Sequence, residues 1–293
     1  MPGPRVHVTG RVPAAVDKAL REDFELVDSP EGADGILALL TTAVDDTYLE
    51  RAGAGLRVVA NYAVGVNNID LEAARARGIV IANTPDVLTR TTAELAITLT
   101  LSLLRRVTEG DRFIRGRREW EFSLEFMLGE SLDGKVFGVV GAGKIGRETA
   151  RLAESFGARP LFAGRSDSLF ELLGAADIVS VHVPLLPETR HLIDAAALTA
   201  MRPTAVLVNT SRGPVVDEAA LVAALQDGVI AGAALDVFEF EPQVTEELLS
   251  LENVVLSPHL GSATAATRNA MGMLAVGALR AVLLEGRRPA NAV

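Results

Sequence analysis

The hydrophobic and polar positions of this chain alternate in blocks, with short apolar runs of strand length between helix-length stretches that carry one apolar face. Such alternation is typical of βαβ units wound around a parallel sheet. The first series of blocks predicts helices near 13–22, 45–53 and 70–77. Its predicted strands are RVHVTG (5–10), FELVD (24–28), GILALL (35–40), LRVVANYA (56–63) and IVIAN (79–83). This series predicts a small open sheet.

A second, longer series of apolar runs begins at residue 135. Its predicted strands are KVFGVV (135–140), ARPLFA (158–163), DIVSVHV (177–183), TAVLVNT (204–210), VIAGAALDV (229–237) and NVVLS (253–257). Because these runs are apolar throughout instead of alternating with polar residues, we expect helices to cover both faces of their sheet. The pattern predicts the core of a doubly wound α/β domain.

Two helical stretches lie outside these series. TTAELAITLTLSLLRRVT (91–108) predicts one long helix that is apolar around most of its circumference. A helix of that kind needs burial on most sides, so we expect it to join domains or subunits. The stretch from about 264 to 293, rich in Ala, Met and Leu, predicts a last helix.

Composition and charge narrow the possible functions. The 293 residues suffice for two domains, and no apolar stretch approaches the ~20 residues of a membrane span. The net charge of −10 disfavours nucleic-acid backbones and anionic membranes as partners. Zero cysteines exclude thiol catalysis, Cys-ligated zinc and disulfides, and the first residues lack the pattern of a signal peptide. We expect a cytoplasmic protein with no metal site that binds neither nucleic acid nor membrane.

A glycine-rich loop separates the first strand of the second series from the helical stretch that follows it. The loop reads Gly141-Ala142-Gly143-Lys144-Ile145-Gly146. In this context glycines permit a tight turn, a close approach of the backbone to a pyrophosphate and close packing of helix on strand. The loop therefore predicts a dinucleotide site. A tight turn that binds nothing is the alternative.

The end of the next strand indicates which dinucleotide is bound. An acidic residue normally meets the ribose 2′-hydroxyl at this position, but the sequence reads Gly164-Arg165-Ser166. A cation and a hydroxyl suit a 2′-phosphate, so we expect NADP(H) to be preferred, with NAD(H) as the other possible cofactor. Alternatively, Arg165 is solvated and Asp167 contacts the ribose.

Three polar residues follow later strands of the second series, at the edge where open α/β sheets bind ligands. Arg212, Glu241 and His259 together suit reduction of a 2-oxo acid, with hydride added to the carbonyl carbon. His259 would give the proton and Arg212 would hold the carboxylate. Each residue taken alone fits an ordinary loop position equally well. His182, within the strand DIVSVHV, and His191, at a helix start, are expected to be structural.

Six segments, taken in order, carry a specific pattern. They are NYAVGVNNIDLEAARARGI (61–79), NTPDVLTRTTAELA (83–96), VVGAGKIGRE (139–148), VNTSRGPVVDEAAL (208–221), GAALDVFEFEP (232–242) and NVVLSPHLGSAT (253–264). With these segments the chain resembles the D-isomer-specific 2-hydroxyacid dehydrogenases, most closely their glyoxylate/hydroxypyruvate reductase branch. The resemblance implies a flavodoxin-like substrate domain at 1–88, completed by 267–293, and a Rossmann cofactor domain at 89–266, both doubly wound parallel-sheet α/β domains.

The resemblance also implies roles for single residues. Arg212, Glu241 and His259 match the catalytic triad of the family, and the Val64 and Gly65 amides help Arg212 and His259 to hold the substrate. The expected cofactor contacts include Thr92 at the phosphates and Asp236 at the nicotinamide carboxamide. The others are Gly141, Gly143, Lys144, Ile145, Gly146, Gly164, Arg165, Ser166, Val183, Pro184, Thr210, Ser211 and Gly261. The substrate implied is a small 2-oxo acid, glyoxylate or hydroxypyruvate.

The family further implies a homodimer built around the apolar helix. The family also implies aromatic substrate contacts from the partner subunit in the matching segment 119–129, where Trp120, Phe126 or neither residue serves. The chain departs from the family pattern between FELVD and GILALL and between Ser166 and Asp177, where the crossover is short for a full βαβ unit.

Other activities are known on the same scaffold. Phosphite, formate and 3-phosphoglycerate dehydrogenases are alternatives, but formate enzymes use a different site around the His. From the length of the stretch between His259 and Val293, we expect no extra regulatory domain of the kind that phosphoglycerate enzymes usually carry. A non-catalytic dinucleotide-sensing regulator is disfavoured by intact Arg212, Glu241 and His259, and by the net charge of −10.

Overall fold

A computed structural model describes residues 3–164 and 168–293 of the chain. The polypeptide divides into two compact units: Met1–Leu88 with Ser262–Val293, here the small unit, and Thr89–Gly261, here the large unit. The first boundary coincides with the predicted one, but the second precedes residue 262 instead of residue 267. A boundary at 267 would cut the last helix, which begins at Ala265 and belongs with its Thr264 cap to the small unit.

The small unit is a parallel sheet with helices on both faces. Its elements, numbered along the whole chain, are β1 (Arg5–Val8), α1 (Ala14–Asp23), β2 (Glu25–Val27), β3 (Gly35–Ala38), α2 (Asp46–Ala52), β4 (Val58–Asn61), α3 (Leu71–Ala76), β5 (Val80–Ala82) and α11 (Ala265–Leu283). The strand order is β2-β1-β3-β4-β5. Leu49 of α2 and Ala74 of α3 pack on Ile36 and Val59 of the sheet, while α11 approaches Gly35 from the other face.

The predicted last helix ends ten residues earlier than the sequence pattern indicated. α11 stops at Leu283, because Gly286 takes a left-handed conformation with φ +63° and Pro289 follows. The chain then returns to the sheet edge, where Ala292 forms an antiparallel bridge with Ala82 and Val293 N–H donates to the Ile81 carbonyl at 2.9 Å. The C-terminal residues therefore extend the sheet beside β5.

The large unit is a second parallel sheet with two apolar cores. Its elements are α4 (Thr89–Leu104), α5 (Val107–Arg115), β6 (Val136–Val140), α6 (Lys144–Ser155), β7 (Arg159–Ala163), α7 (Leu169–Ala175), β8 (Ile178–Val181), α8 (Ala195–Ala200), β9 (Val206–Asn209), α9 (Glu218–Gln226), β10 (Gly232–Leu235), α10 (Glu246–Ser250) and β11 (Val254–Leu256). The order is β11-β10-β9-β8-β6-β7. Leu173, Leu198 and Leu221 fill one face, and Ile97 and Ala153 the other. The predicted fold class, two doubly wound parallel-sheet α/β domains, is confirmed.

The long apolar segment after residue 89 forms two helices instead of one. α4 ends at Leu104, and Arg106 adopts a left-handed conformation with φ +54° that breaks the helix before α5. The apolar circumference of α4 is covered largely within the large unit, since Leu99 is buried and Leu95 and Leu103 pack against the same core. The composition of α4 is therefore no evidence for a partner subunit, contrary to the sequence-based argument.

The short crossover after β7 still forms a βαβ unit. β7 ends at Ala163 and the two-turn helix α7 begins at Leu169, where the Ser168 hydroxyl accepts a hydrogen bond from Glu171 N–H as a cap. The chain then returns at β8, on the far side of β6. The order of connections reverses at β6, and this switch point is where doubly wound sheets bind ligands beyond the carboxyl ends of their strands.

Every helix in the described residues is too short or too polar to span a lipid bilayer.

Candidate active site

The glycine loop of the large unit joins β6 to α6 and is shaped by backbone contacts. Gly141 has φ +104°, and a Cβ there would lie 2.9 Å from the backbone of His182. A Cβ at Gly146 would lie 2.2 Å from the Gly141 carbonyl oxygen. Both positions therefore require glycine, which explains the spacing read from the sequence.

The space beside this loop fits a dinucleotide pyrophosphate. No atom lies within 4 Å of the Cβ position of Gly143, which stands at the N-cap of the 12-residue helix α6 without a side-chain cap. The first amides of such a helix lack partners within it and favour anions. Across the switch point, the buried Thr210 hydroxyl after β9 has no hydrogen-bond partner in the described residues. A bound dinucleotide could occupy the open space at Gly143, accept hydrogen bonds from the first amides of α6 and bind the Thr210 hydroxyl.

The remaining predicted cofactor residues of the large unit follow its strand ends or flank them. Val183 and Pro184 come after β8, and Ser211 lies after β9, where Asn209 Oδ1 accepts hydrogen bonds from its amide and hydroxyl. The Thr92 hydroxyl of α4 donates to the Gly261 carbonyl at 3.1 Å. The contact between Thr92 and the cofactor phosphates stays a prediction.

Of the residues predicted to select the cofactor, the structure describes Gly164, at the end of the edge strand β7. Gly164 directly follows that strand, and the amide of Gly141 donates to Ala163 O at 2.9 Å beside it. Arg165 and Ser166 lie outside the described residues, so the preference for a 2′-phosphate stays a prediction as well.

Asp236, directly after β10, is fully buried and holds the loop that follows β11. Its carboxylate accepts hydrogen bonds from Ser257 Oγ at 2.5 Å, Leu260 N at 2.7 Å and Gly261 N at 2.8 Å. The Asp236 carbonyl accepts from His259 N at 2.8 Å. Burial raises the pKa of Asp236, although the three donors oppose the shift. The sequence predicted only a contact with the nicotinamide carboxamide, and this function in holding the loop was missed.

His259 and Glu241, two of the three catalytic candidates singled out from the sequence, form a hydrogen-bonded pair. His259 Nδ1–H donates to Glu241 Oε2 at 2.8 Å, with about a third of each side chain exposed. His259 has φ +54°, an uncommon conformation for a non-glycine residue, and the hydrogen bond from its backbone N–H to the Asp236 carbonyl helps to hold it. The other oxygen of Glu241 accepts from Phe238 N–H at 3.0 Å, which orients the carboxylate.

Arg212 reaches the same edge because two loops touch through their backbones. A Cβ at Gly213 would lie 1.9 Å from the carbonyl carbon of Phe238, so only glycine allows the loop after β9 to lie against the loop after β10. The Arg212 carbonyl accepts from Asn209 Nδ2 at 3.0 Å, and its Nη1 donates to Ser211 O at 2.7 Å. Arg212 and Glu241 therefore lie on loops that are packed against each other.

The charges of this group influence one another. Burial lowers the pKa of the Arg212 guanidinium, against the opposing effect of the Glu241 charge. Burial by itself would raise the pKa of Glu241, but the hydrogen bond and the charge of His259, the Phe238 amide and the Arg212 charge bring it below its ordinary value. Glu241 is therefore a carboxylate at neutral pH, beside a guanidinium that stays charged.

A second cluster of charged residues anchors the loop that carries Glu241, and no pattern in the sequence indicated it. Glu239 Oε2 accepts from Glu218 N at 3.2 Å, and Glu218 Oε2 accepts in return from Glu239 N at 2.9 Å. His191 Nε2 donates to Glu239 Oε1 at 2.6 Å. His191 lies before α8 at φ +51° instead of at a helix start. The sequence predicted a structural role for His191, and the structure shows that its partner is Glu239.

His182 lies directly after β8, which ends at Val181, instead of within that strand. Its Nε2 lies 2.8 Å from Ser180 Oγ. Burial lowers the pKa of His182 to about 4, so the side chain is neutral at physiological pH. These contacts agree with the structural role expected from the sequence.

The predicted substrate residues Val64 and Gly65 belong to the small unit, in the half-buried loop after β4. The aromatic candidates form one cluster in the large unit, where Trp120 stacks on Phe126 at 5.6 Å between ring centroids and Phe113 meets Phe126 edge-on at 5.5 Å. Within the part of the chain that the structure describes, no group of three or more His, Asp or Glu side chains is placed to hold a metal ion.

Comparisons with known proteins agree on one family. The family model described as "D-isomer specific 2-hydroxyacid dehydrogenase, NAD binding domain" matches residues 97–261. The glyoxylate reductase of Pyrococcus furiosus is 42% identical, over 92% of this chain and 90% of its own.

Solved structures are similar over nearly the whole chain. A protein from Thermus thermophilus has a TM-score of 0.92 and 41% identity, covering 99% of each chain. The NADPH-dependent glyoxylate/hydroxypyruvate reductase of Sinorhizobium meliloti, solved with NADP and malonate, has a TM-score of 0.89 and 38% identity, covering 99% of this chain and 96% of its own.

Proposed function

The chain belongs to the D-isomer specific 2-hydroxyacid dehydrogenase family. We propose that it reduces glyoxylate or hydroxypyruvate to the 2-hydroxy acid, which has the D configuration where it is chiral, with NADPH as the preferred donor. It is an NAD(P)-dependent oxidoreductase. The observation that carries the substrate proposal is the 2.8 Å pair of His259 and Glu241 on a loop packed against the loop of Arg212, at the same sheet edge as the glycine loop.

The His259 side chain is oriented to give a proton. Because Glu241 engages Nδ1, the Nε2–H of the imidazole is the group left to face a substrate carbonyl. The carboxylate holds the ring in this orientation, and the protonated ring would give its Nε2 proton to the oxygen of the reduced carbonyl. The nicotinamide dinucleotide, when bound, supplies the hydride to the carbonyl carbon.

Arg212 suits the recognition of a 2-oxo acid because its guanidinium is planar and always charged. The fork can engage the substrate carboxylate and the adjoining carbonyl oxygen in one plane, which directs the carbonyl carbon towards one face. The net charge of −10 makes such a local cation necessary for capture of an anionic substrate. The Val64 and Gly65 amides of the small unit complete the carboxylate site in this proposal.

The proposal includes a homodimer. Large apolar side chains are exposed along the segment 107–128, here called the arm, and they include Val107, Ile114, Trp120, Phe122, Leu124 and Leu128. Phe122 is 81% exposed and Leu124 is 86% exposed. Single exposed apolar residues are common, but a run of them marks a surface that another molecule covers. A second copy of the chain would cover the arm. Trp120, more exposed than Phe126, is the residue that we propose reaches the substrate of the partner subunit.

The first prediction concerns the acid. The chain is expected to oxidise NADPH in the presence of glyoxylate, and His259→Ala is expected to lower kcat by ~10²–10⁴-fold while the Kd for NADPH stays nearly unchanged. Steady-state kinetics and cofactor fluorescence measure the two quantities. Near-normal turnover in the variant would refute the assignment, and cofactor binding without turnover in the wild type would indicate a dinucleotide sensor.

The second prediction concerns pH. Glu241→Gln replaces the carboxylate that accepts the His259 Nδ1–H by a neutral amide, so the reductive rate is expected to fall and its pH profile to change. The wild-type carboxylate, whose pKa lies below the ordinary value, keeps its charge at neutral and alkaline pH. The measurement is the profile of kcat/KM across the range from mildly acidic to alkaline pH. Superimposable profiles would contradict the pairing.

The third prediction concerns the cofactor. Gly164 spares a 2′-phosphate the repulsion of a carboxylate, and a well-formed Arg165 contact contributes ~1.5–3 kcal/mol, so NADPH is expected to be preferred by roughly tenfold to a few hundredfold. Gly164→Asp combined with Arg165→Ala is expected to reverse the order. The measurement is the ratio of kcat/KM for NADPH and NADH at saturating glyoxylate. A parent enzyme that prefers NADH would contradict the prediction.

The fourth prediction concerns the arm. Phe122→Asp combined with Leu124→Asp places two charges on the apolar surface and is expected to convert a dimer into a monomer. Leu249→Asp, at a leucine 63% exposed outside the arm, is the matched control and is expected to remain dimeric. Light scattering at micromolar concentration gives the mass. A monomeric wild type, or a dimeric double variant, would contradict the proposal.

A further inference from the structure

Three successive carbonyl groups of the loop after β4 are each bound by a donor from the small unit. Thr84 N–H donates to Ala63 O at 2.9 Å. Asn83 Nδ2 donates to Val64 O at 2.8 Å, and Asn61 Nδ2 donates to Gly65 O at 2.8 Å. These three carbonyls are therefore all directed towards the protein.

This arrangement sets the direction of the amides that follow. In a trans peptide the C=O and the next N–H point in opposite directions, and the cis bond of the described residues lies elsewhere, at Glu241-Pro242. The N–H groups of Val64, Gly65 and Val66 therefore point away from the three donors. They donate no hydrogen bond within the described residues, and all three residues are only half-buried.

Consecutive outward amides form a concave positive surface that suits an anion. No acceptor among the described residues satisfies these donors, whereas the carbonyls that could have competed for the same space are engaged. The orientation of the loop therefore depends on two asparagine side chains and on one backbone amide, that of Thr84.

Asn61 is held firmly enough to impose this orientation. Its side chain is fully buried at the end of β4. It exchanges hydrogen bonds of 3.3 Å and 3.2 Å with the Asn68 amide, whose Nδ2 also donates to Thr42 O at 3.1 Å. This network leaves the Asn61 amide one orientation in which every group is paired, with Nδ2 towards Gly65 O.

Asn83 is held from the C-terminal tail. Its N–H donates to Asn291 O at 3.1 Å, and Asn291 Nδ2 donates back to the Asn83 carbonyl at 2.5 Å. The bridge between Ala82 and Ala292 continues this pairing. The tail thus fixes the backbone of Asn83 while its side chain binds Val64 O.

We propose that Asn61 and Asn83 are positioning residues that aim the amides of Val64, Gly65 and Val66 at the carboxylate of the substrate, and that Asn291 supports Asn83. The identity of that carboxylate rests on the proposed function. In this proposal the three asparagines touch neither the substrate nor the cofactor. They act through the direction of the loop peptides, so they govern affinity for the 2-oxo acid more than the rate of the chemical step.

Kinetics provide the first test. Asn83→Ala is expected to raise KM for glyoxylate at least tenfold, with kcat, the Kd for NADPH and the melting temperature little changed, and Asn291→Ala is expected to act in the same direction more weakly. Asn253→Ala is the matched control, because its Nδ2 also binds a carbonyl, Ala231 O at 3.3 Å, in the large unit. A fall in kcat and melting temperature with unchanged KM would show a merely structural role and overturn the proposal.

Amide NMR provides a test that does not depend on turnover. In ¹⁵N-labelled holoenzyme titrated with oxalate, the resonances of Val64, Gly65 and Val66 are expected to shift in the wild type, and the shifts are expected to be lost or weakened at least tenfold in Asn83→Ala. If glyoxylate is not reduced but these shifts occur, the substrate proposal fails and the loop assignment stands. Wild-type shifts that avoid these three amides, or equal affinity in the variant, would overturn the assignment. Asn61 is fully buried, so its replacement by alanine can prevent folding. Asn83 is only half-buried, so Asn83→Ala is the variant used in both tests.

Discussion

The buried carboxylate of Asp236 is the interaction on which the site of the large unit depends. A carboxylate removed from water is costly unless donors replace its hydration, and here a hydroxyl and two backbone amides of the loop after β11 do so. Any movement of that loop would leave a buried charge without partners. The backbone N–H of His259 donates a hydrogen bond to the carbonyl of Asp236, so the His259 backbone is held in place as well.

Two further contacts extend this rigidity to the other catalytic candidates. Gly213 brings the loop of Arg212 against the backbone at Phe238, and the reciprocal bonds of Glu218 and Glu239 fix the segment that leads to Glu241. The three loops are thus joined by backbone groups and not only by the side chains that would react. Under the proposed function, an arrangement of this kind would place a proton donor and a carboxylate receptor before the substrate arrives, which is how electrostatic and orientational effects contribute most to catalysis.

The features predicted from the sequence are those governed by local rules. The apolar runs indicated the strands of both sheets, and parallel strands bring their carboxyl ends to one edge, so Arg212, Glu241 and His259 could be grouped from their positions along the chain alone. The end of α11 at Leu283 has local signals in Gly286 and Pro289 that the prediction did not use. Sequence could not predict the end of α4 at Leu104, because the left-handed residue that follows it, Arg106, is not a glycine. It also could not predict the partners of Asp236 or Asn83, because these bonds join residues far apart in the chain.

The most direct test of this account is Asp236→Asn, measured by kcat for glyoxylate and by Kd for NADPH. An amide nitrogen cannot accept the Gly261 N–H, so we expect the loop to shift, kcat to fall at least tenfold and cofactor affinity to change little. Ser257→Ala, which removes a single donor, is expected to cause a smaller fall. A loss confined to cofactor affinity, with kcat unchanged, would show that Asp236 serves the nicotinamide alone and would contradict the account.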